Sequence, residues 1–191
     1  HGNIAAVQRM LNWAVDEQYI DRSPIARIKK PAPKRRTVVY TPEQWKQIQH
    51  HASGPFRDLL NFLWLTGCRP KEVRTAERRH VHNDLLIFPP EESKGEVKSR
   101  VIYMTQQVLE IISRQSKTGI LFRNSRGRPW TKDALVCQTQ RIAKKVGFRV
   151  IAYGARHSYA TNALIKDVDP ITVAHLLGHR DASMVSKVYS H

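Results

Sequence analysis

The sequence predicts an α+β, mainly α-helical protein that carries a small three-stranded antiparallel sheet. Three observations predict it. Apolar residues recur three and four apart through most of the chain, the repeat of one helix face. Two short β-prone runs, "NDLLIFPP" and "SRVIYM", flank a charged stretch containing one glycine, which reads as a hairpin. Helix starts and stops are marked by capping residues, prolines and glycines at the ends of the periodic segments.

Taken in order, Ile4, Val7, Leu11 and Ala14 with Val15 form a first helical stripe, ended at Ser23-Pro24. One amphipathic helix cannot bury its own stripe. Residues 1–26 are therefore expected to be the last helix of a truncated upstream domain, or else to dock on the main domain. "RIKKPAPKRR" follows, with six basic residues, two prolines and no acid. It reads as a stiff, positive linker over residues 27–36, and Arg27, Lys29, Lys30, Lys34, Arg35 and Arg36 are its candidate phosphate contacts.

The main domain, residues 37–191, opens at "YTPEQW". Thr41 is the expected N-cap, Pro42 fits the first turn and Gln44 completes a capping box. Phe56, Leu59, Leu60, Phe62 and Leu63 mark a second helix, stopped by Gly67. Pro70 starts a short helix, so Arg69 is held at a helix-to-helix junction. The hairpin places Lys94 near its tip, and "GILF" is expected to supply the third strand. Helices are then expected over 134–146, 155–166, 170–177 and 181–190. Trp13, Trp45 and Trp64 lie on apolar stripes and are expected in the core, as is His175.

Thirty-two Lys and Arg stand against 16 Asp and Glu, a net charge of +16. Such a balance favours a polyanionic partner. The longest apolar run, residues 59–68, is about half the roughly 20 residues a spanning helix needs. The two cysteines, Cys68 and Cys137, have no CxxC spacing and sit in apolar helical patterns. They are expected to be buried free thiols, which suits a reducing cytoplasm.

Basic residues recur at awkward places: Arg69 between helices, Arg156 opening an apolar helix, His179 after a helix break. Buried cations cost free energy unless an anion answers them, and few carboxylates lie near these motifs. A phosphodiester would answer them. Two arginines can clamp its non-bridging oxygens, a histidine adds a donor, a lysine can protonate the leaving oxygen, and a tyrosine can hold the phosphoryl group covalently. This set needs no metal and no cofactor. His175 and His179, four apart, lack the glutamate that a zinc protease helix carries.

Four motifs in order give a resemblance. "TGCRPKEV", "SKGEVKSR", "YGARHSYAT" and "LLGHRDASMVSKVYSH" resemble the conserved boxes of the tyrosine recombinases, the phage integrase family. The likeness covers residues 37–191, and the first 36 resemble the end of a core-binding domain and its linker. The resemblance implies the catalytic fold of that family and a DNA strand-exchange enzyme working through a 3′-phosphotyrosyl intermediate. It implies Arg69, Arg156 and His179 as phosphate ligands, Lys94 as general acid and Tyr189 as nucleophile. It further implies double-stranded DNA as partner, a tetramer on DNA from a free monomer, and a cytoplasmic, nucleoid-associated setting of prokaryotic or phage origin.

One position departs from the pattern. The family usually has histidine where Tyr153 stands. A phenol, with a reference pKa near 10, donates a hydrogen bond but is a poor base at neutral pH. Tyr153 is therefore expected to keep the hydrogen bond alone, while His157 braces the fold. Two alternatives share the residues: a catalytically weakened DNA-binding relic, and a type IB topoisomerase-like activity on one duplex. A helix-turn-helix regulator fits the charge but leaves Lys94 and Tyr189 without a role.

Overall fold

Side-chain capping marks where several of the helices begin, at Thr41, Thr131 and Asp169. In the computed structural model, which describes residues 2–29, 37–93 and 98–179, Thr41 Oγ1 accepts the Gln44 N–H at 3.2 Å and the Thr41 N–H donates to Gln44 Oε1 at 3.1 Å. That reciprocal box starts α2 (Pro42–His51). The next helix, α3 (Gly54–Thr66), ends at Gly67 in the left-handed conformation, φ 61°. A Cβ there would sit 2.5 Å from the Tyr159 ring, so both the backbone and the packing require glycine.

The chain divides into two compact units, residues 1–36 and 37–191. The first holds α1 (Gly2–Asp16), tied to its following turn by Gln8 Nε2, which donates to Ile25 O and Ile28 O at 3.4 and 3.1 Å. Trp13, expected in the core, is instead 55% exposed and packs on Tyr19 with ring centroids 5.6 Å apart. Within its own unit the helix has only a short segment to cover its stripe.

In the second unit α3 is the central helix. Phe56, Leu59, Leu60, Phe62 and Leu63 are all buried, so most of its circumference is core. It packs on α7 (Ala152–Ile165), α5 (Gln106–Ser113) and the short α4 (Pro70–Thr75). Trp45 stacks on Trp64 at 4.3 Å and 8°, which places both tryptophans at the α2–α3 contact. Phe62 meets Phe122 at 5.0 Å. α6 (Lys132–Val146) lies against α2 and α7, and α8 (Pro170–Leu177) closes on α7.

The sheet has three antiparallel strands in the order β1 (Val81–His82), β2 (Leu85–Phe88), β3 (Arg100–Tyr103). Leu86 pairs with Ile102 and Phe88 with Arg100. The third strand is thus β1, not "GILF". Ile120 makes only an isolated bridge to Glu77, because the chain there joins a loop rather than a sheet edge. α5 was not expected from the sequence.

Three further expectations are corrected. Cys137 is exposed while Cys68 is fully buried. α6 turns Leu135, Thr139 and Ile142 inward, and Cys137 falls off that face. His175 is exposed, because α8 buries Val173, Ala174 and Leu177 instead. α7 starts at Ala152, not at Ala155, so Arg156 lies in its second turn.

Candidate active site

Tyr40 fixes where α7 begins. Its hydroxyl donates to Ile151 O at 2.9 Å and accepts the Ile151 N–H at 2.8 Å, while its own N–H donates to Ser158 Oγ at 2.8 Å. Tyr153, Arg156 and His157 then share one face of the helix by the three-and-four spacing. Tyr153 is 43% exposed and Arg156 is 2% exposed. The helix therefore carries a phenol at its mouth and a guanidinium at its floor.

Arg156 spends its donors on main-chain oxygens. Nη1 donates to Gly67 O at 2.7 Å and Nη2 to Leu177 O at 2.8 Å. Both acceptors sit at helix ends, where carbonyls have no partner within the helix. Burial, and then the neighbouring Arg69, push the Arg156 pKa down from its ordinary value. The group remains a cation at neutral pH, and neither of these two bonds goes to a carboxylate.

Arg69 is the N-cap residue of α4. Its Nη1 donates to Glu72 Oε1 at 2.6 Å and its Nη2 to Gly178 O at 2.7 Å. Glu72 Oε2 also accepts the Arg69 main-chain N–H at 2.7 Å, closing the first turn of α4. Glu72 thus holds Arg69 by backbone and side chain together. The two arginines converge on adjacent carbonyls, of Leu177 and Gly178, just before His179. The His179 N–H donates to Ala174 O at 2.9 Å, so this residue closes the end of α8.

A third guanidinium lies in the same place, and sequence reasoning missed it. Arg100 is 7% exposed, with Nε 3.5 Å from Glu72 Oε1 and Nη1 donating to Val101 O at 2.7 Å. Burial lowers its pKa, and the nearby Glu72 carboxylate opposes that shift. A signal was present in the strand alternation: Arg100 and Ile102 share the buried face of β3, and Met104, just beyond it, continues the alternation. Among the described residues, Arg69, Arg100 and Arg156 give three positive charges against the one of Glu72. The local net is about +2 before His179 is counted, which is a site for an anion.

Tyr153 and Arg69 also line one groove of about 670 Å³. Lys71, Arg74, Lys132 and Arg149 surround it, and Leu135 and Val136 give it an apolar wall. Tyr153 and His157 have ring centroids 5.6 Å apart. Burial, with Arg156 second, holds His157 below the usual histidine pKa.

The structure therefore brings together Arg69, Tyr153, Arg156 and the backbone that positions His179. Lys94 and Tyr189 lie outside the described residues, as do Lys30, Lys34, Arg35 and Arg36. Arg27 and Lys29, in the smaller unit, are exposed. Cys68, buried beside the cluster, has its thiol pushed up to about 12 by burial and then by Glu72, so it is no nucleophile.

A mainly helical domain with a small antiparallel sheet thus brings buried arginines together in a cluster of excess positive charge, which suits a phosphate-like anion. A sequence profile of the Phage integrase family matches residues 39–191, and the chain belongs to that family. It is similar to Tyrosine recombinase XerD of Staphylococcus haemolyticus (strain JCSC1435), 25% identical over 216 residues, covering 98% of this chain and 70% of that protein. Tyrosine recombinase XerD of Staphylococcus aureus (strain Mu50 / ATCC 700699) is 27% identical over 148 residues. That match covers 71% of this chain and spans about half, 49%, of the relative. The crystal structure of a lambda integrase dimer bound to a COC′ core site shares the fold, with TM-score 0.77 at 18% identity, covering 97% of this chain and 57% of that one. No helix among the described residues is long and apolar enough to cross a membrane.

Proposed function

We propose that this chain is the DNA-cleaving part of a site-specific tyrosine recombinase. The observation that carries the reading is the pair of guanidiniums, Arg69 and Arg156, fixed by main-chain oxygens in a cluster with excess positive charge. Such a clamp is preorganised for the charge that develops on a phosphate's non-bridging oxygens during in-line attack. Tyr189 loses its phenolic proton to solvent water and attacks the scissile phosphorus, forming a 3′-phosphotyrosyl bond. The bond to the 5′ oxygen breaks, and that oxygen takes its proton from Lys94. His179 donates to the phosphate beside the arginines. Attack by the 5′ hydroxyl of a partner strand reverses the step and completes exchange.

Tyr153, at the mouth of the site, gives a hydrogen bond and takes no proton. The basic groove beside it is the path of the DNA backbone, with the residue 27–36 linker adding phosphate contacts. Residues 1–26 act as the end of a core-binding domain and 37–191 as the catalytic domain. The protein works in the cytoplasm on double-stranded DNA, assembling into a tetramer there from free monomers. Lambda integrase, similar in fold, is seen as a dimer on a core site, which supports self-association on the substrate.

A covalent trap tests the reading. The intact protein is mixed with nicked duplex from its own genomic attachment region, with Tyr189→Phe in parallel. A detergent-stable adduct that disappears in Tyr189→Phe is the expected result. Salt-sensitive binding with no adduct would replace it with the relic reading. Relaxation of supercoils without site-defined exchange would favour the topoisomerase-like one.

A further inference from the structure

We propose that Arg100 is a positioning residue for the Arg69–Glu72 pair, sharing the carboxylate so that Arg69 keeps positive charge for a phosphate. The proposal rests on the recombinase reading above. Three contacts carry it. Glu72 Oε1 lies 2.6 Å from Arg69 Nη1 and 3.5 Å from Arg100 Nε, so one oxygen faces two guanidiniums. Arg100 Nη1 is anchored on Val101 O at 2.7 Å, which holds the guanidinium at the start of β3. Gly178 packs on the same side chain: a Cβ there would come within 2.9 Å of Arg100 Cδ and Nε.

The physics follows from counting charges. A carboxylate paired one-to-one with Arg69 would neutralise it and leave a weak electrostatic clamp. Divided between two cations, Glu72 orients Arg69 without cancelling it. Arg100 also abuts the glycine whose carbonyl accepts Arg69 Nη2 at 2.7 Å, so one side chain supports both anchors of Arg69. Burying a guanidinium with no fully matched carboxylate is costly, and an apolar replacement of similar shape is often neutral or stabilising. A residue kept for folding alone would not need this charge.

The test uses the intact protein with Arg100→Met and Arg100→Lys. Single-turnover adduct formation is measured on nicked duplexes with either a natural phosphate or a neutral methylphosphonate at the scissile position. Tm and the guanidinium proton exchange of Arg69, followed by NMR, are read in parallel. Arg100→Met is expected to stay folded, cleave the natural phosphate at least tenfold more slowly, and show a smaller loss on the methylphosphonate. Its Arg69 protons are expected to exchange faster, and Arg100→Lys to recover part of the rate. Equal losses on both substrates, or none, would overturn the proposal, as would a loss matching only the unfolded fraction. If the parent protein forms no adduct on either duplex, the recombinase reading falls. Unchanged Arg69 exchange in Arg100→Met would then still overturn the role given to Arg100.

Discussion

Tyr153 is the residue at which the proposed cleavage chemistry is most directly tested. A phenol stands 43% exposed at the mouth of a site whose cations are guanidiniums that only donate. Imidazole, with a reference pKa near 6.5, would add a base that works at neutral pH. Tyr153→His is expected to raise the single-turnover cleavage rate at pH 7 by about a hundredfold, the low end of general-base contributions. An unchanged rate would show that proton removal from the nucleophile does not limit cleavage. The histidines make a separate prediction for stability. His80 and His157 are both held below the usual histidine pKa, chiefly by burial. Their folded forms bind fewer protons than the unfolded chain, so stability is fully present above about pH 6.5 and falls as the pH drops below it. Tm is expected to decline from pH 7 to pH 5, and His80→Asn, which can still accept the Glu77 N–H, to flatten that decline.

At the scale of elements, α8 does more than cap the domain. Its last carbonyls receive both clamp arginines, and Gly178 ends it at φ 66°. Gly178→Ala would force a side chain into the left-handed region, costing about 1–2 kcal/mol, and push on Arg100 as well. A lower Tm and slower adduct formation are both expected, measured by thermal melts and the covalent trap. Which elements were legible follows from their length and pattern. α3, with five buried apolar residues in eight positions, was plain in the sequence, and so were the capping box at Thr41 and the glycine stop at Gly67. β1 was not, because two residues carry no alternation. "GILF" looked like a strand by composition but pairs through one bridge only. Arg100 was hidden because an arginine at the start of a strand reads as solvent-facing until the alternation through Ile102 and Met104 is followed inward.

For the whole molecule, charge is the governing quantity. The net of +16 and the basic groove predict binding to duplex DNA dominated by phosphate contacts. Affinity measured by fluorescence anisotropy is expected to fall about a thousandfold between 50 and 200 mM salt if six or more phosphates are engaged. A flat response would remove DNA from the account altogether. The motifs picked out Arg69, Arg156 and His179 from the sequence, and although Arg69 lies about 110 residues before His179, all three reach the C-terminal end of α8. What the sequence hid was the set of acceptors. The clamp is held by the oxygens of Gly67, Leu177 and Gly178. Every amino acid carries a main-chain carbonyl, so no codon change can delete these partners. In a saturation-mutagenesis screen the tolerance map should therefore be lopsided. Arg69 and Arg156 would accept almost nothing, Leu177 would accept other large apolar residues, and the two glycines would be intolerant for their backbone angles and for the side chains packed against them. Selection acting on this catalytic centre can alter the hands of the clamp but not what they grip.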